Sequence, residues 1–283
     1  MTRAPERALD YHPPDAERMI FVSLLIAPLV TAAAAVIERR LGPAAAGWVA
    51  ALPIAFAVAV VTVSLDAGSG SASSMALSAA THVPAQVLFG LVFAGALMRR
   101  GLVVGVAAGS AAYVGGSALV ADAPAVLVVA GAIPFLALAP RLMVSGRPRS
   151  ASPRRWSATA LTCVAASAMV GAAVVTSRLA GPEAAGAVAA FPTMCTTLAL
   201  TVVARDGRLA GAHALTGLVR SLPCYLTFCV VVAFLAPTTG AAAVVLGLLA
   251  CLAVAGATWR GVPVSAVVKG NRVYAGSVGS ART

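Results

Sequence analysis

The sequence predicts an all-α polytopic membrane protein of about nine transmembrane helices, built as two inverted four-helix repeats joined by a connecting helix. Three observations predict it. The chain of 283 residues is 60% hydrophobic and only 10% charged, its apolar residues gather in long uncharged runs, and one segment occurs twice. A soluble domain carries about 25% charged residues. At 10% this chain could not cover a water-facing surface. Uncharged runs of about 18 residues or more match, as helices, a bilayer core of about 30 Å. The alternation expected of a β-barrel is absent.

The runs fall at 19–37, 45–65, 75–98, 102–120, 124–143, 157–177, 184–204, 211–235 and 241–259. The tail before them, 1–18, holds four acids and three arginines, and the first run exceeds a typical signal-peptide core. It therefore reads as a tail and not as a leader. The stretch 101–140 carries a single charge, Asp122, which sits with Ala121 and Pro124 at a hairpin turn. Forty residues are too many for one crossing and enough for two.

Loop charges set the orientation. With the N-terminus outside, the inner side holds Arg39, Arg40, Arg99, Arg100, Arg141, Arg147, Arg149, Arg154, Arg155, Arg205, Arg208, Arg260, Lys269, Arg272 and Arg282. The outer side keeps Arg3, Arg7, Arg18 and Arg178. This asymmetry places the N-terminus outside and the C-terminus in the cytoplasm, with Trp156 and Trp259 as interface anchors beside inner arginines. The net charge of +11 is thereby assigned to topology and not to nucleic acid. The basic loop RLMVSGRPRSASPRR (141–155) serves as a topology signal and a contact for lipid head groups. Alanine- and arginine-rich, nearly lysine-free usage points to a GC-rich bacterium, hence to the bacterial cytoplasmic membrane.

GPAAAGWVAALP begins at 42 and GPEAAGAVAAFP at 181, with nine of twelve positions identical. A slide of 139 residues also matches Gly68 with Gly207, Pro84 with Pro223 and Phe89 with Phe228. Glycine and proline shape backbone, so the shared object is a folded unit. The units are 19–120 and 157–259. The connector 121–156 adds one crossing between them, and 260–283 forms a cytoplasmic tail. Four spans followed by one extra crossing restart the second unit from the opposite face. The loop charges agree: SLDAGSGSASS (64–74) has no basic residue, whereas its counterpart ARDGRLAG (204–211) has two. Inverted repeats are a recurring plan of secondary transporters.

The second copy, AGAVAAFPTMCTTLALTVVARDGRLAGAHALTGLVRSLPCYLTFCVVVAFLA (185–236), resembles the GlpM-like small bacterial inner-membrane proteins. Gly186, Phe191, Pro192, Thr193, Pro223 and Tyr225 stand at the similar positions. The first copy follows the pattern less closely, with Leu52 for Phe and Ile54 for Thr. The resemblance implies a fused, inverted pair of four-helix units in the inner membrane. It implies no particular activity.

Pro53 and Pro192 lie inside spans two and seven, where proline removes a donor and frees a carbonyl. The pattern allows either a simple kink or a broken helix whose free backbone groups line a cavity. Thr81-His82-Val83-Pro84 aligns with Arg220-Ser221-Leu222-Pro223. Arg220 stands roughly 14 Å into its span at 1.5 Å per residue, where facing lipid costs several kcal/mol. It is expected to face the interior, either bonding carbonyls freed by a proline or binding a carboxylate or phosphate-like group. His82 is a candidate proton or pH-sensing group, and His213 is expected near the cytoplasmic interface. Candidate substrate contacts are therefore Arg220, His82, Thr81, Ser221, Pro53, Pro192 and Thr193.

Gly101, Gly105 and Gly109 form a GxxxGxxxG stripe for close helix packing within the fold or in a homo-oligomer. The five cysteines lie in apolar runs without metal spacing. No P-loop, zinc motif or nucleophile set occurs. The chain is thus expected to be no enzyme and to need no metal or cofactor, with membrane lipids and a small anionic solute as partners. The expected function is transport or export of that solute. Scaffolding of an envelope or lipid-linked enzyme and lipid-phosphate translocation are the other two readings.

The topology is checked by single cysteines in a chain freed of its own five. Gly70→Cys and Asp122→Cys are expected to react with an impermeant maleimide added from outside, and Gly207→Cys only from the cytoplasmic face. Labelling of 70 and 207 from one side would remove the inversion.

Overall fold

A computed structural model describes residues 52–143 and 156–259. The 1–18 tail, the 19–37 span, the Gly42, Pro43 and Gly47 matches, most of the basic loop and the 260–283 tail lie outside the described residues. Among the described residues all regular structure is helical: α1 (Ile54–Thr81), α2 (Val83–Arg100), α3 (Leu102–Val120), α4 (Ala125–Leu142), α5 (Trp156–Ala180), α6 (Pro182–Ala190), α7 (Thr193–Asp206), α8 (Arg208–Thr239) and α9 (Ala242–Trp259). Seven stretches are long and apolar enough to cross a membrane, with α6 and α7 counted together and α9 supplying a shorter run. Val103, Leu119, Val126 and Leu127 stand more than two-thirds exposed on α3 and α4. In water such faces would form a large apolar patch; in hydrocarbon they are matched to their solvent. The molecule is a polytopic helical membrane protein.

The serine-rich stretch 64–74 departs from its expected loop. Helix continues on both sides of a break confined to Gly68, at φ 86° and ψ 165°. Two of its serines bond carbonyls: Ser71 Oγ donates one turn back to Ala67 at 2.9 Å, and Ser73 Oγ donates across to Ala233 on α8 at 2.6 Å. Back-bonding such as that of Ser71 lets a short polar side chain remain helical.

The backbone repeats itself at the 139-residue offset. Gly207 adopts φ 86° and ψ 176°, the conformation of Gly68. Gly101 and Gly240 are likewise both at positive φ. Pro53 (φ −76°, ψ 37°) and Pro192 (φ −77°, ψ 55°) open α1 and α7 alike. Even the turn bonds agree: Ile54 N–H donates to the Leu52 carbonyl at 2.8 Å, and Thr193 N–H to the Phe191 carbonyl at 2.7 Å.

Helix α8 is the most buried of these crossings and packs against α1, α2, α4, α7 and α9. Its contacts with α1 and α2 run antiparallel. Ser73 meets Ala233, a Cβ on Gly90 would touch Val219, and a Cβ on Gly211 would touch Leu97. Midway between the outer contacts stand residues 85 and 222, beside the matched Pro84 and Pro223. The Gly68 break therefore lies towards the C-terminal end of α8 and the Gly207 break at its N-terminal end. Asp66 and Arg178 join at the Gly68 end through two bonds of 2.7 and 2.8 Å.

The glycine stripe on α3 is used within the chain. A Cβ on Gly105 would stand 2.9 Å from the Phe93 ring, and one on Gly109 2.8 Å from Phe93 Cβ.

Gly68→Ala and Gly207→Ala are each expected to destabilise the protein by about 1–3 kcal/mol, because their backbone region is essentially restricted to glycine. Gly70→Ala, helical and facing open space, should be neutral or stabilising by up to about 1 kcal/mol. Thermal unfolding in one detergent compares the three.

Candidate functional site at the broken helices

The second copy shows how the helix breaks. Helix α6 ends at Ala190, Phe191 is extended at ψ 128°, and α7 begins after Pro192. The sequence allowed a kink or a true break, and the structure has the break. In the first copy Pro53 opens α1 with the matching dihedrals. The two prolines meet at one cavity of about 50 Å³. Its described walls are Leu52–Pro53 and Ala55–Phe56, Gln86, Met169, Ala189–Cys195, and Leu218, Leu222 and Tyr225. The cavity thus lies between predicted spans two, three, seven and eight.

An aromatic set fixes the break. Phe191 stands edge-on to Phe89 at 5.7 Å and to Tyr113 at 5.2 Å, and Phe56 lies 5.5 Å from Tyr225. Edge-to-face pairs favour defined ring positions. Tyr113 Oη donates to the Ala187 carbonyl at 2.6 Å, tying α3 to α6. The side chain of Gln86, 4% exposed, donates from Nε2 to the Ala190 carbonyl at 2.5 Å. It thereby caps the last carbonyl of α6. Tyr225, 139 residues after Gln86, is 6% exposed, and its hydroxyl has no hydrogen-bond partner.

Three of the seven predicted site residues, Pro53, Pro192 and Thr193, come together here. Thr81 and His82 line a second cavity of about 360 Å³ with Ser74, Ser78, Glu183 and the α3–α4 turn. Both are tied to their own helix: Thr81 Oγ1 donates to the Ser78 carbonyl, and His82 Nδ1 lies 2.7 Å from the same oxygen. Ser221 is fully buried and its Oγ donates to the Leu218 carbonyl at 2.7 Å. Arg220, partly exposed on α8, lines neither cavity. His213, expected at the interface, is 2% exposed inside the protein. Gly211, two residues before it, lets α8 approach Val203 and Leu97 and draws this end of the helix into the bundle.

Gln86 and Tyr225 are the site residues that sequence reasoning missed. Their signal was present, since two polar residues occupy one repeat position inside apolar spans. Matching identical residues passes over an unlike pair. A third space, an apolar groove of about 560 Å³ along α3, α5 and α6, shares Met169, Phe191 and Thr193 with the central cavity. No protein-family model, curated protein or solved structure matches the chain.

Gln86→Leu is expected to destabilise the protein by about 1–3 kcal/mol, the cost of leaving the Ala190 carbonyl buried without a donor. Gln86→Asn, one methylene shorter, should not restore the stability. Denaturant titration of both variants measures it.

Proposed function

We propose that the chain is a secondary transporter of a small anionic solute, in which two inverted, GlpM-like repeats give alternating access to the central cavity. The observation that carries this reading is the meeting of two matched helix starts, at Pro53 and at the Pro192 break, at one cavity. It is supported by the 139-residue recurrence of backbone geometry and by the antiparallel register of α8 against α1 and α2. Matched breaks at opposite ends of α8 suit a unit seen once from each membrane face. Half-helix N-termini aimed at a midplane site are how such folds receive an anionic group. The membrane is the bacterial cytoplasmic one, with the N-terminus outside and the C-terminus inside. Gly105 and Gly109 are spent on Phe93, so the reading calls on no oligomer.

A second reading, translocation of a lipid-linked phosphate, is favoured by the apolar groove. That groove reaches the same Phe191 and Thr193 from the side of α3 and α5, which suits an acyl chain beside a polar head.

The test is flux in vesicles holding the purified protein. An imposed gradient of a small anion should decay faster than in empty vesicles. Pro192→Ala, which lets helix re-form across the break, should return it to the empty-vesicle rate. No flux of any small anion in either direction would end the transport reading. Movement of a labelled lipid phosphate between leaflets would put the second in its place.

A further inference from the structure

We infer that the central cavity is a binding site for a small monovalent inorganic anion of the halide or nitrate class. It would be held by the Tyr225 hydroxyl and the first-turn N–H groups of α1 and α7. The inference deepens the transport reading and rests on it for what the binding serves.

The first argument is the unspent donor. Tyr225 lines the cavity and is 6% exposed, and its hydroxyl, beside the Gln86 and Cys229 side chains, makes no well-formed hydrogen bond with either. Buried polar groups are nearly always satisfied, and an exception calls for a ligand or ion. The second is the pair of helix starts. The first turn of a helix leaves its N–H groups without intrahelical acceptors, and neither Pro53 nor Pro192 supplies a side-chain cap. Residues of both first turns, Ala55 and Phe56 in α1 and Met194 in α7, line the cavity.

The acceptors, in contrast, are engaged. The Ala190 carbonyl takes Gln86 Nε2, and the Leu52 and Phe191 carbonyls take the N–H groups of Ile54 and Thr193. The Pro53 carbonyl takes Ala57 N–H, and the Pro192 carbonyl takes both N–H and Oγ1 of Thr196. These carbonyls are engaged by the protein, so they offer a cation less than the helix starts offer an anion.

Charge and size narrow the class. No Asp, Glu, His, Lys or Arg lines the cavity among the described residues. Each helix start acts as roughly +0.5 charge, so two supply about one positive charge, which balances a monovalent anion and falls short of a divalent one. A cavity of about 50 Å³ compares with about 10–15 Å³ for one water. It holds a small ion with one or two waters and is too small for a bulky organic solute.

The experiment is thermal unfolding of the purified full chain in detergent at constant ionic strength. Sodium gluconate is replaced stepwise by sodium fluoride, chloride, nitrate or sulfate. At least one of the three monovalent inorganic anions is expected to raise Tm saturably, and sulfate to act no differently from gluconate. Tyr225→Phe should keep or raise Tm in gluconate, because it removes an unsatisfied hydroxyl. Its half-saturating concentration should rise about tenfold or more, as one charge-assisted hydrogen bond is lost. Should that variant not fold, Met194→Phe, which fills the cavity, should abolish the shift. Absence of any saturable shift in the wild type overturns the proposal, and so does an unchanged shift in the variant. A Tyr225→Phe protein that is less stable in gluconate also overturns it, since the hydroxyl would then serve the fold. Flux of larger anions without such binding would remove this site and leave transport. Binding without flux would do the reverse.

Discussion

A backbone broken inside an apolar protein must find partners for every N–H and carbonyl it exposes, since neither lipid nor a dry core offers any. The break at Pro192 and the helix start at Pro53 impose this demand, and their surroundings answer it. Gln86 reaches from α2 to the last carbonyl of α6. The extended residue at the break closes a short turn onto the next N–H, and Thr196 bonds back to Pro192. Phe191 is gripped edge-on by Phe89 and Tyr113, so the break has one conformation. The acceptor side is thus closed by the protein itself. What remains is a set of donors around a small cavity, and that remainder supports an anion site.

The long antiparallel pairing of α8 with α1 and α2 holds the two breaks together. It depends on close approach. Gly90 admits Val219, Gly211 admits Val203, and Gly186 places α6 against the backbone of α1, where a Cβ would run into the Met75 carbonyl. Membrane helices gain little from excluding lipid, and they associate through packing at small residues of this kind. The same logic draws α3 onto α2 through Gly105, Gly109 and Gly116. Because the register centres near Pro84 and Pro223, equivalent residues of the two copies meet at one place, and Gln86 and Tyr225 both reach the cavity.

The copies have nevertheless diverged at that place. Gln86 is committed to a carbonyl and Tyr225 is not. Helix α8 is continuous from Arg208 to Thr239, while the matching stretch of the first copy is interrupted at His82. The two segments thus share backbone geometry at the 139-residue offset and differ in the polar groups they bring to the cavity.

The sequence by itself determined the polytopic helical class and the positions at which backbone geometry recurs. Proline and glycine carry their backbone geometry with them, so Pro53, Pro192, Gly68 and Gly207 read the same in sequence and in space. The spacing of apolar runs against bilayer thickness fixed the hairpin at Asp122 in the same way. Which side chains meet was left to the tertiary structure. These helices are apolar nearly all round, so no polar stripe marks the inward face. Arg220, the most conspicuous polar residue of α8, stands away from the central cavity, while Tyr225, five residues later, lines it. The expected loop at 64–74 vanished into helix because its serines bond one turn back or across to Ala233, a partner 160 residues away. Facing direction and long-range partners are properties of the packed bundle, and no local pattern encodes them.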